Sequence, residues 1–211
     1  MNSQTLTQNN RKYDARQIAR FYRLRPWLGW ARAVIIIWNF AWFILGLKWD
    51  DVRGVAERNK LRRAVHLRKM LVRLGPAFIK VGQALSTRPD LIRKDFLEEL
   101  IKLQDQLPPF DNALALRQIQ SELGHPIKEI FSELSPAPVA AASLGQVYRG
   151  RLLTGEEVAV KVQRPNLRPI LSLDLYLMRW AAGWLSPWLP LNLGHDLTLI
   201  VDEFGTKLFE E

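Results

Sequence analysis

The sequence predicts an α+β fold in which a small antiparallel sheet interrupts a largely helical chain. Three observations carry this. The 211 residues are 48% hydrophobic and 24% charged, enough apolar side chain for a packed core and too little charge bias for a disordered one. Apolar residues recur at three- and four-residue steps between Leu61 and Leu123 and again after Leu173, the spacing of helix faces. Only residues 138–163 switch to alternation, the period of strands.

Taken in order, residues 1–25 are polar and basic, suited to a loose arm or a short helix. Residues 26–49 form an apolar segment. Leu61, Ala64, Leu67, Leu71 and Leu74 then line one face of an amphipathic helix with a basic back, and Gly75-Pro76 ends it and opens the next. Asp95, with Glu98 three residues on, reads as a capping box ahead of Leu97, Leu100, Ile101 and Leu103, and Leu107-Pro108-Pro109 stops that helix. A further helix is expected from Asn112 to Leu123, closed by Gly124. Gln146–Leu152 and Val158–Val162 alternate about a Leu153-Thr154-Gly155-Glu156 turn, an antiparallel hairpin. Leu173, Leu177, Trp180, Trp184 and Trp188 return to helical spacing, with the tryptophan stripe read as a packing face or, alternatively, as a membrane- or protein-facing patch, and a last helix runs from Asp196 to Glu211. The expected division is 1–25 basic arm, 26–49 apolar membrane-associated segment, 50–135 helical extension and 136–211 the sheet with its following helices.

Composition excludes several chemistries. Without cysteine there is no disulfide scaffold, thiolate metal site or cysteine nucleophile. His66, His125 and His195 are too scattered for a zinc cluster. The net charge of +9 is unevenly placed: residues 1–73 hold 16 Lys/Arg against 4 Asp/Glu, a net of +12, and the remainder is net −3. A basic end suits an anionic membrane or nucleic acid. The stretch between the charges decides. From Trp27 to Trp49 only Arg32, Asn39 and Lys48 are strongly polar, and five of the eight tryptophans lie there on one helix face. Nucleic-acid binding wants aromatics interleaved with Arg and Lys, so an anionic membrane lipid is the expected partner and nucleic acid is not. Residues 26–49 are borderline for a span of about 20 residues, and reach it if Arg32 snorkels toward headgroups. Basic flanks at both ends fit a segment whose ends stay on one side, whereas its all-round apolarity fits a span. Spanning, interfacial and protein-buried arrangements remain open.

Two constellations could carry chemistry. In Val158-Ala159-Val160-Lys161 a lysine sits among small apolar strand residues, which suggests an anionic partner for its ammonium. In kinase-like folds this is the strand whose lysine holds nucleotide phosphates. The loop that should cover those phosphates is usually G-x-G-x-x-G-x-V. Here Ala140, Ala141, Ala142, Ser143, Leu144, Gly145, Gln146 and Val147 supply A-x-A-x-x-G-x-V in register. Alanine keeps backbone close to phosphate but gives up positive φ, so a stiff loop is expected. The second constellation is Lys80-Val81-Gly82-Gln83, in which Lys80 and Gln83 share a helix face and Gly82 suggests close approach of another backbone.

Together, Gly75–Ile92, Ala140–Gly150 and Val158–Pro165, in that order and spacing, resemble the UbiB/AarF family of atypical protein-kinase-like proteins over roughly Leu61 to Glu211. The resemblance implies a kinase-like small lobe behind a helical extension. It implies atypical kinase or ATPase activity at membranes, in support of prenyl-quinone biosynthesis, with ATP and Mg²⁺ as cofactors and quinone-biosynthesis proteins as partners. It assigns phosphate anchoring to Lys161, phosphate cover to Ala140–Val147, and substrate-side or gating roles to Lys80 and Gln83. No metal ligand is expected within the chain. Phosphoryl transfer needs a catalytic loop and a metal-binding aspartate. Asp202-Glu203-Phe204-Gly205 comes too soon after Lys161 to be the latter and reads as helix surface, and His195-Asp196 lacks catalytic-loop context. Glu210-Glu211 resembles the start of the family's acidic E-x-D motif. The expectation is a chain that stops before the large lobe and is inactive alone, the alternative being a non-catalytic pseudokinase or adaptor.

Overall fold

The computed structural model describes residues 13–105, 107–187 and 196–210, so expectations for residues 1–12, Trp188, His195 and Glu211 lie outside the described residues. The chain falls into two compact units, one within Met1–Asn59 and Arg168–Glu211 and the other Lys60–Leu167.

In the first unit, helix α1 (Ala15–Arg23) starts at Asp14, whose side chain accepts from the amides of Arg16 and Gln17, as a cap should. Helix α2 (Trp27–Val52) is the apolar segment, continuous over 26 residues. The unit also holds the last two helices of the chain, α8 (Leu167–Leu185) and α9 (Leu197–Glu210). Tyr22 stacks on Tyr176, with ring centroids 5.4 Å apart, and its hydroxyl donates to the carbonyl of Pro169. Arg179 on α8 holds Asp202 on α9 at 2.9 Å, and the Tyr13 hydroxyl donates to the same carboxylate. Asp202 therefore serves helix packing, and Gly205 beside it is buried, so Asp202–Gly205 is not simply the helix surface that the sequence suggested.

The packing of α2 corrects two expectations. Arg32 does not snorkel: its Nε and Nη2 reach the two carboxylate oxygens of Asp174 at 2.7 and 2.8 Å, and Asp174 is fully buried. The partner lies 142 positions away in sequence, too far for any local pattern to announce it. Burial outweighs Arg32 and raises the Asp174 carboxyl above its usual pKa. The second correction concerns the α8 tryptophan face. Trp180 and Trp184 are 61% and 63% exposed, so among the described residues they form the patch of the alternative reading rather than a packing face.

In the second unit α3 (Ala56–Leu74) ends at Gly75, which takes φ 100°, and Pro76 opens α4 (Pro76–Ser86), where its missing N–H costs nothing. Helix α5 (Lys94–Asp105) begins one residue before the expected cap. Asp95 thus sits in the first turn, and the Arg93 carbonyl takes the first helical bond, from the Leu97 amide. Glu99 on α5 accepts from Arg68 on α3 at 2.8 Å and from Lys102. Burial alone would raise its carboxyl, but those two hydrogen bonds hold it below its usual range. Helix α6 (Asn112–Leu123) is capped by Asp111 and closed by Gly124 in the left-handed region, as expected.

A single-turn helix, α7 (Ile127–Ile130), leads into the sheet of β1 (Phe131–Leu134), β2 (Ala140–Ala141), β3 (Gly145–Leu152) and β4 (Glu157–Gln163). Every pairing is antiparallel. β4 takes one edge of β3 along its length, and β1 and β2 share the other. Gly155 makes the hairpin turn at φ 93°. One face of this hairpin, with Tyr148 and Val162 buried and Val158 and Val160 beside them, packs on Ala115 and Ile119 of α6 and on Phe131.

Candidate functional site

The alanine-rich loop is a second, very tight hairpin. Ala140 pairs with Val147 and Ala141 with Gln146, the Ala142 amide donates to the Gly145 carbonyl at 2.7 Å, and the turn holds Ser143 and Leu144. Among the described residues positive φ occurs at Gly54, Gly75, Gly124, Gly155 and Asn166, none of them in this loop, so alanine is accommodated without strain. The glycine that remains, Gly145, has another reason. A Cβ there would lie 2.5 Å from the carbonyl oxygen of Val162, so the site is needed for backbone approach between β3 and β4.

The register then places Val147 directly opposite Lys161 and Arg149 opposite Ala159. Because strand side chains alternate, Val147, Ala159 and Lys161 share one face, and Tyr148, Val158, Val160 and Val162 the other. This corrects the expectation of a desolvated lysine. Lys161 is exposed on the face opposite the core, and no carboxylate lies within ion-pair distance of it among the described residues. The apolar neighbours in sequence, Val160 and Val162, point away from it. Ala159 shares this face and is exposed, a candidate that sequence reasoning passed over as part of the strand motif. Its signal was there: position i−2 from the lysine must share the lysine's face.

Not all of the loop faces outward. Ser143, Leu144, Gly145 and Gln146 are buried. Gln146 is the clearest departure from a nucleotide-facing role for its side chain. Its Oε1 accepts from the Phe110 amide at 3.0 Å, and its Nε2 donates to the Tyr148 hydroxyl at 2.6 Å. That hydroxyl in turn donates to Asn112 Oδ1 at 2.7 Å. The glutamine thus ties the loop to the start of α6 through a satisfied buried network. Burial raises the Tyr148 pKa, against the opposing effect of the Gln146 hydrogen bond. Arg164, just past β4, donates its amide to the Leu144 carbonyl at 2.7 Å and lays its guanidinium 5.2 Å from the Phe110 ring centre. Burial lowers its pKa, and its Nε has no hydrogen-bond partner among the described residues.

The K-x-G-Q constellation belongs to another layer of the same unit. Gln83 donates to the Leu103 carbonyl on α5 at 2.8 Å. Ser86 donates back to the Gln83 carbonyl, and Gln104 donates to Ser86. A Cβ on Gly82 would collide with the ends of Leu103 and Leu71, so the close approach is of side chains rather than of backbone. Lys80 is half-buried on the same helix. The structure thus joins Val147, Ala159 and Lys161 on one sheet face and gives Gln83 to the α4–α5 interface.

Residues 102–211 match the family model described as the ABC1 atypical kinase-like domain. The chain belongs to this family. Family membership and the fold class, helices with a small antiparallel four-stranded sheet, thus agree with the sequence reading. Among curated relatives, an uncharacterized protein of Synechocystis sp. is 64% identical over 96% of the chain and 36% of its own length. The chloroplastic protein Activity of BC1 Complex Kinase 1 of Arabidopsis thaliana is 49% identical over 86% of the chain and 27% of its own length. An uncharacterized chloroplastic aarF domain-containing protein kinase of Arabidopsis thaliana is 46% identical over 95% and 29%. The chain therefore spans about a third of the length of the relatives it matches. Among solved structures, the Rv3197–erythromycin complex from Mycobacterium tuberculosis shares 32% identity over 75% of this chain and 39% of that one, at a TM-score of 0.39.

Proposed function

We propose that this chain supplies the phosphate-holding side of an atypical kinase or ATPase, working at a membrane in support of prenyl-quinone biosynthesis. The observation that carries the nucleotide reading is the Val147–Ala159–Lys161 face. It sets half-buried Val147 and the exposed methyl of Ala159 beside an exposed ammonium that has no carboxylate partner among the described residues, with Arg149 further along the same face. Such an ammonium suits a phosphate oxygen, and the alanine loop brings backbone close without Cβ bulk beyond a methyl. These residues fit the nucleotide. Mg²⁺ is held by one or two carboxylates together with the phosphates, and the resemblance places those ligands in the part of the relatives' length that this chain does not span. When bound, Mg-ATP supplies the transferable phosphoryl group, and the metal neutralises its developing charge. Lys161 would hold phosphate, Val147 and Ala159 would seat the base, and Lys80 would act from the α4 side.

The membrane part rests on α2, which is long and apolar enough to cross a bilayer with only 11% of its most apolar window buried. The test is phosphate release and Mg-ATP binding by the chain alone and by the chain continued to the length of its relatives. Turnover by the longer protein and none by the 211-residue chain is expected. Binding without turnover in the longer protein would instead make it a non-catalytic adaptor.

A further inference from the structure

The tryptophans of α2 are distributed in a way that bears on how the helix meets lipid. Trp27, Trp30, Trp38, Trp42 and Trp49 fall within an arc of about 120° at 100° per residue, and all five are 58–68% exposed. They run the length of the helix, about 33 Å from first to last at 1.5 Å per residue. In a spanning helix, tryptophan belongs at the two ends, where headgroups meet hydrocarbon. Trp38 is about 17 Å from Trp27, so a span would put it near the middle of a roughly 30 Å core. Lying flat instead gives all five rings the same depth.

The opposite side of α2 is covered by protein. Gly29, Ile36, Phe43 and Asp50 recur every seven residues there, with Gly29, Phe43 and Asp50 buried. A Cβ on Gly29 would stand 3.6 Å from Leu173 of α8, and Arg32 is locked to Asp174 of the same helix. A spanning α2 would draw α8, with Arg168, Asp174 and Arg179, toward membrane depth, which is costly for ionisable groups. The sequence of α2 lacks the polar face that an interfacial helix needs; in the fold its opposite side instead meets α8 at Gly29 and Arg32. At each end an arginine is stacked on an aromatic ring, Arg25 over Phe21 and Arg53 over Trp49, both at 4.5 Å, with exposed Lys48 nearby in sequence. Cations flanking an apolar face match anionic headgroups.

We infer that α2 lies in the plane of the membrane–water interface of an anionic membrane, its tryptophan face toward lipid and its covered face toward protein. This rests on the membrane reading above and specifies the geometry. The chain has no cysteine, so single thiols can be placed at Leu24, just before α2, and at Val52, its last residue, 68% and 85% exposed, and at Val139 on the second unit. The three variants would be expressed in bacteria, and labelling by a membrane-impermeant thiol reagent compared between inverted vesicles and spheroplasts. All three thiols should react from the same side. A companion variant, Trp38→Leu with Trp42→Leu, should bind phosphatidylglycerol-containing vesicles several-fold more weakly, because leucine is the better residue at a bilayer centre and tryptophan at its boundary. If Leu24→Cys and Val52→Cys react from opposite sides, the helix spans and the in-plane geometry is wrong while membrane association stands. If the double variant binds vesicles like the wild type, lipid does not contact this face at the interface and the inference fails. If the unmodified chain does not sediment with membranes at all, the membrane reading fails first.

Discussion

Replacing Gly145 by alanine tests whether the glycine kept in the alanine-rich loop serves the strands or the nucleotide. The added Cβ would sit 2.5 Å from the Val162 carbonyl oxygen and 3.2 Å from Gln163 Cα, whereas ordinary contact begins near 3.4 Å. Both obstacles are backbone, so one strand must shift by about 0.9 Å against the first of them. A shift of that size takes the 2.7 Å bond from the Arg164 amide to the Leu144 carbonyl beyond useful length. Overpacking costs about 1–3 kcal/mol and each lost bond about 0.5–1.5, while replacing a glycine at ordinary φ returns about 0.4–1. The balance is a destabilisation of about 2–3 kcal/mol confined to the β3–β4 end. Tryptophan fluorescence would not report it, because residues 60–167 contain no tryptophan. Hydrogen exchange of peptides covering Gly145–Arg164 would, as a rise of roughly thirty- to a hundredfold in exchange rate at about tenfold per 1.4 kcal/mol. A change below about threefold would refute the close-approach argument and return Gly145 to a role toward ligand.

Ala142→Gly should leave β3–β4 protection unchanged, since position 142 is exposed and carries no positive φ, but should change nucleotide affinity in the chain continued to the length of its relatives by loosening the loop. Equal ATP and ADP affinities before and after would mean that the loop does not touch nucleotide. Asp174→Ala should destabilise the first unit by about 3 kcal/mol, because it strands a largely buried Arg32, and Arg32→Met with Asp174→Leu should restore most of the loss. Urea unfolding followed by tryptophan emission reads this, all eight tryptophans lying outside residues 60–167. The same carboxyl sets a pH dependence: its native pKa is raised, so the folded state binds more protons than the unfolded one above the ordinary carboxylate value of 3.8. Its contribution to stability should therefore fall as pH rises from that value through the raised pKa and level off above it. In Asp174→Asn that component of the slope should vanish.

What the sequence made legible was local. Gly75-Pro76, Gly124 and Gly155 each mark a backbone that only a few residue types adopt, and the helix breaks and the hairpin turn fall at them. The loop–lysine pair was legible because Val147 and Lys161 lie in one hairpin, whose register follows from turn length. Sidedness was harder. Alternation says that Val160 and Lys161 face opposite ways but not which way is the core, and α6, which decides it, is an independent element. Gln146 looked like a loop residue because, although Tyr148 lies two positions on along the same strand, its other partner Phe110 is brought to it only by folding. Arg32 looked like a snorkelling residue because Asp174 lies on another helix far along the chain. Trp180 and Trp184 read first as a packing face, with an exposed patch as the alternative, since spacing cannot distinguish a face packed on protein from one left exposed. Each of these misreadings is a question of partner rather than of local shape.

The nucleotide assignment of the sheet face depends above all on Lys161. Titration calorimetry of Mg-ATP into the chain continued to the length of its relatives, compared with its Lys161→Met variant, measures this directly, with hydrogen exchange over β3–β4 to confirm that the sheet is intact. Because Lys161 is exposed and outside the core, the variant should keep wild-type protection there. Its affinity for Mg-ATP should fall at least about tenfold, which is roughly 1.4 kcal/mol. Wild-type affinity in an intact Lys161→Met protein would contradict the account, leaving the Val147–Ala159–Lys161 face without a phosphate to hold.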